Sequence, residues 1–74
     1  MVRYYSRIRP LTDGMYPTYD DNKIEKIRNF DTSIGVFVNQ GHRKMVLAGV
    51  FGYIEYEKPI PEKDAIKYRL MREF

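Results

Sequence analysis

Cysteine and tryptophan are absent from this chain, histidine occurs once, and the only serines are Ser6 and Ser33. Each shortage removes a class of explanation. Without cysteine there is no disulfide framework and no thiolate metal site. With His42 as the sole imidazole, a structural zinc site lacks its ligands. A nucleophile–base pair would have to use His42, which sits between Gly41 and Arg43 in a polar stretch where a solvated turn histidine is the simpler reading. Two carboxylate pairs are present, Asp20-Asp21 and Glu55 with Glu57. The first reads as a turn or cap and the second as a solvated sheet end, with no third group to make either specific. A phosphate-cradling glycine loop is missing as well, because Gly49 and Gly52 fall inside a strand pattern and not before a helix. The chain reads as non-enzymatic and implies no cofactor.

Long apolar runs are also lacking. The longest, from Met45 to Tyr53, is about half of a membrane span and contains Gly49 and Gly52. No apolar core follows the basic start Met1-Val2-Arg3, so nothing resembles a signal peptide. The expectation is a soluble protein of the reducing cytoplasm without a membrane partner. Its 74 residues make room for one domain, residues 1–74, and a chain this size buries only about 60% of its unfolded surface. With disulfides and zinc excluded, good packing or oligomerisation must supply the margin, and a homodimer is expected.

What is present is tyrosine, arginine and a period of two. Seven Tyr and four Phe stand in this short chain. Tyrosine supplies large contact area at low entropic cost, either in a small β-rich core or on a recognition surface. Residues 2–9 alternate, with Val2, Tyr4, Ser6 and Ile8 on one face and Arg3, Tyr5, Arg7 and Arg9 on the other, until Pro10 ends the strand. Residues 10–22 read as a long loop pinned by Met15, Tyr16 and Tyr19. Residues 23–30 suit a short strand with a bulge before a turn at Asp31-Thr32, or else a helix capped by Asp21 or Asn22. Residues 33–39 are a strand, Asn39-Gln40-Gly41-His42 a turn, and Arg43 to Tyr56 a returning strand. That last strand is apolar on both faces, which demands cover on both sides. At about 3.3 Å per residue it is also too long for the domain unless bent, and Gly49 and Gly52 are its natural hinges. After Pro59-Ile60-Pro61 a helix is expected, with Ile66, Leu70 and Phe74 on its apolar face. It would cover one side; the tyrosine-bearing loop or a second copy of the chain would cover the other.

The predicted fold is therefore α+β: a curved antiparallel sheet of about four strands with one C-terminal helix. Arg3, Tyr5, Arg7 and Arg9 place guanidinium forks and a stacking ring on one ribbon, and Arg43 and Lys44 extend it. With Tyr16 these are the candidate binding residues. The competing explanation is an edge strand guarded by charge.

Several short stretches together add a likeness: Arg9-Pro10, Gly14-Met15-Tyr16-Pro17, Asn29-Phe30-Asp31, Gly52-Tyr53-Ile54-Glu55-Tyr56, Pro59 and Tyr68-Arg69-Leu70. In these the chain resembles the domains associated with large polyvalent proteins of phages and conjugative elements of Gram-positive bacteria. It departs from them at Val50-Phe51-Gly52, where Ala-Trp-Gly is expected. The resemblance implies an accessory protein of a mobile element that modulates host defence, with a last short strand over Tyr68 to Arg72 after a helix of two turns. The expected partner is a host protein. A nucleic acid or nucleotide bound by the same basic face, or a purely structural role, are the alternatives.

Overall fold

The computed structural model describes residues 1–7, 14 and 16–74. It comprises β1 (Val2–Ser6), β2 (Ile24–Gln40), β3 (Arg43–Tyr56), α1 (Glu62–Lys67) and β4 (Leu70–Arg72). The strands form one antiparallel sheet in the order β2-β3-β1-β4. The small α+β fold expected from the sequence is the one observed, but three of its parts differ in detail.

First, β1 is not an edge. It pairs with β3 from Val2↔Tyr56 to Ser6↔Gly52 and with β4 from Tyr4↔Arg72 to Ser6↔Leu70. Its alternation therefore sorts side chains between two covered faces. Tyr4 joins Ile54, Tyr56, Ile60 and Leu70 on one, while Tyr5 joins Leu47, Val50 and Tyr53 on the other.

Second, residues 24–40 form one strand with irregularities, neither a helix nor two strands divided by a turn. Asn29 faces Gly52 and Ile34 faces Val50. Residues 30–33 thus stand opposite Phe51 alone, so the polar Asp31-Thr32 pair is absorbed as a wide bulge. Asn22 caps no helix: its amide accepts from Lys58 N and donates to Lys58 O at 2.9 and 2.8 Å.

Third, the helix stops at Lys67. Arg69 takes φ 58°, a left-handed conformation that ends the helix and turns the chain back as β4. Leu70 is buried as a strand residue, while Ile66, its expected helical neighbour, is exposed. The short last strand implied by the resemblance is what forms.

The two faces are covered differently. Ala65 and Tyr68, together with Tyr16 and Tyr19 from the preceding loop, pack on the Tyr4–Tyr56 side. The Tyr5–Tyr53 side is covered by the sheet itself. Ala48 and Gly49 oppose Gly35 as a bulge, with Gly49 at φ 68°; beyond it the hairpin brings Val36 and Met45 against that cluster, where Phe30 also packs. The curl carries Arg43 to 4.7 Å from the ring centre of Phe74, beyond β4. No second copy of the chain is needed as a lid, which removes the packing reason for expecting a homodimer. Gly52 has a separate role: a Cβ there would lie 2.4 Å from Arg28 O, so β2 and β3 approach too closely for any side chain.

The tyrosines are the core. Tyr4 meets Tyr56 edge-on at 5.9 Å and Tyr5 meets Tyr53 at 6.2 Å. Each phenol that reaches the interior of the first face has a partner. Tyr56 OH donates to Pro17 O at 2.6 Å, Tyr4 OH accepts from Ile60 N at 3.1 Å, and Tyr19 OH donates to Asp64.

Candidate binding surfaces

The seven residues singled out by sequence do not share one open ribbon. Arg3 is held in place: its Nε and Nη2 lie 2.9 and 2.8 Å from Glu55 Oε2, Nε lies 3.8 Å from Glu73, and the guanidinium sits 4.1 Å from the ring centre of Tyr53. Burial opposes the charge, but hydrogen bonds to Tyr5 and Glu55 outweigh it and keep the Arg3 pKa above the ordinary arginine value. Glu55, expected at a solvated sheet end, is 7% exposed and serves as the counter-ion of Arg3. Tyr5 is 4% exposed and offers no free ring face. Tyr16 packs on the opposite face of the sheet. Arg7 is exposed just beyond β1. Arg9 lies outside the described residues.

Arg43 and Lys44 start β3 on opposite sides of the hairpin. Arg43 turns inward to Phe74. Lys44 pairs across the strands with Asn39, and two residues on Val46 pairs with Phe37. Alternation puts Lys44, Val46, Phe37 and Asn39 on the outer, convex side. There Phe37 is 64% and Val46 69% exposed. Neither was singled out from the sequence. Their strand positions read as ordinary sheet pattern, and only the curl of the hairpin decides which face is left bare.

This patch sets an exposed aromatic ring beside an exposed valine, with polar and cationic side chains around them. It is poorly suited to base stacking. Phe37 is the one largely exposed aromatic ring among the described residues; the others are buried or half-buried, and Tyr53 is capped by Arg3. Among the described residues no three His, Asp or Glu side chains gather as a metal site. No helix among them is long and apolar enough to cross a membrane.

The fold defines a small α+β domain on an open, strongly curled antiparallel sheet. The chain belongs to the family described as Defence against restriction A C-terminal, whose model matches residues 1–73. No curated protein and no solved structure matches the chain. What stands of the sequence resemblance is its coarser part, a domain tied to host defence. The likeness to domains of large polyvalent proteins is not supported by the match.

Proposed function

We propose that this domain serves a phage or other mobile element by weakening host restriction, and that it acts in the host cytoplasm by direct, non-catalytic contact with a protein of the restriction machinery. Membership of a family named for defence against restriction carries this reading. The exposed Phe37–Val46 pair beside Lys44 supports contact with a protein in preference to a nucleic acid.

The test is restriction of unmodified DNA in a restricting host that expresses the domain. Expression is expected to raise recovery of unmodified phage. The Phe37→Ser, Val46→Ser double variant is expected to abolish the gain while staying folded with only a small drop in melting temperature, because both side chains are about two-thirds exposed and lose mainly their cross-strand contact. Full protection by that variant would remove the hairpin face from the mechanism. Protection that vanishes with rising salt in a purified DNA-cleavage assay would instead move the nucleic-acid reading to first place.

A further inference from the structure

β4 is the last strand on its side of the sheet. Glu73 N donates to Arg3 O at 2.8 Å, so residues 71 and 73 direct their backbone groups inward to β1. By the alternation of an antiparallel ladder, the N–H and C=O of Leu70 and Arg72 then point outward, and no described strand lies beyond them. Beside this edge runs an apolar trough between β4 and α1. It has two adjoining hollows of about 460 and 420 Å³ that share Ala65, Ile66, Leu70 and Met71. Ile66, on the Tyr4 side of the edge, is 69% exposed, and Met71, paired with Tyr5 and so on the other side, is 40% exposed.

Charge at the rim is one-sided. Arg7 and Arg69 line one end and Arg72 the other, against the single carboxylate of Glu62. None of these three arginines forms an ion pair among the described residues, whereas Arg3 is paired with Glu55 and Glu73. Short length and charge alone would only guard an edge against aggregation. A guard does not need an exposed apolar floor. The combination of outward backbone groups, apolar trough and arginine rim is what a strand-adding site requires.

We propose that the β4 edge receives an extended peptide of a partner protein, added as a fifth strand, with apolar residues set into the trough beside Ala65 and Ile66 and acidic residues between Arg7, Arg69 and Arg72. A second copy of the chain fits poorly, because edge-to-edge pairing of β4 would bring the same arginines together. The site is separate from the Phe37–Val46 face, so either assignment stands or fails without the other.

The probe is a labelled synthetic peptide alternating Glu with Val, titrated into the full chain, with a Lys–Val peptide and an N-methylated Glu–Val peptide as controls. Saturable binding of the Glu–Val peptide is expected, with amide shifts centred on Leu70 and Arg72, and at least tenfold weaker binding of both controls. Arg72→Glu and Ile66→Ser are each expected to weaken binding at least fivefold. Arg69→Gly is a safeguard against misfolding, since glycine suits φ 58° while the charge is lost; it too is expected to weaken binding. Equal binding of the acidic and basic peptides, shifts confined to another surface, no binding, or self-association through β4 without peptide would each overturn the proposal.

Discussion

The guanidinium of Arg43, at the start of β3, rests 4.7 Å from the ring centre of Phe74, past the end of β4. Between them in the sheet lies β1, so this contact measures how far the hairpin curls over the Tyr5–Tyr53 cluster. An exposed cation–π contact contributes about 0.5–1 kcal/mol. Phe74→Ala is therefore expected to lower global stability by about that amount while speeding amide exchange over residues 43–47. Unchanged exchange there would mean that the curl is set by the Gly49 bulge alone.

The glycines of the hairpin should differ in tolerance. A Cβ at Gly52 meets Arg28 O at 2.4 Å, whereas one at Gly35 has only Leu47 O at 3.8 Å. Gly52→Ala is expected to cost about 1–3 kcal/mol through overpacking. Gly49→Ala, at φ 68° with open space around it, should cost about 1–2 kcal/mol of backbone strain. Gly35→Ala should change little. Urea unfolding of the three variants would reveal the order.

Leu70 and Ile66 would sit on one face of a continuous helix, but here one is a buried strand residue and the other is exposed. Leu70→Ala should cost about 2–5 kcal/mol, and Ile66→Ser less than about 0.5 kcal/mol. Equal sensitivity of the two in thermal melts would restore the longer helix.

Tyr19 and Tyr56 should make the fold sensitive to alkali. Burial is the larger cause that pushes both phenols above the ordinary tyrosine value, and the bond to Asp64 adds to it for Tyr19. The folded state thus keeps them neutral where the unfolded chain begins to ionise, at pH about 10. Their contribution is whole below that pH and is lost as pH rises through the folded-state values. The urea midpoint is expected to fall above pH about 10, and to fall less in Tyr19→Phe. A midpoint independent of pH in the wild type would show these phenols to be solvated.

Tyr56→Phe should also loosen the loop before β2, because Pro17 O then loses a partner 2.6 Å away in the interior. The expected cost is about 1–3 kcal/mol. Faster proteolysis between β1 and β2 would accompany it.

Much of the fold was legible in the sequence because period two survives irregular pairing. β1, the β2–β3 hairpin and the tyrosine core all follow from alternation. Strand order was not legible, since nothing local tells Arg3 that Glu55 and Glu73 will flank it, and so a central strand resembled a guarded edge. The helix was drawn too long because its stop is Arg69, an arginine in a conformation usually announced by glycine. The candidate site was only partly legible. Lys44 is marked by its charge, but Phe37 and Val46 are exposed only because of how the hairpin bends, and Arg43, equally charged, lies on the other side with Phe74.

The position of β1 also bears on when the protein can fold. Within this domain β1 comes first in the chain, yet Val2 lies opposite Tyr56 and Tyr4 opposite Arg72, so its two neighbours are synthesised near the other end of the domain. The β2–β3 hairpin can close early as a local unit, but the sheet's middle stays open until residues 70–72 emerge from the exit tunnel. The sheet thus closes only once the whole domain has been made, and a nascent chain stalled before α1 would expose Tyr4 and Tyr5 to whatever holds unfinished proteins.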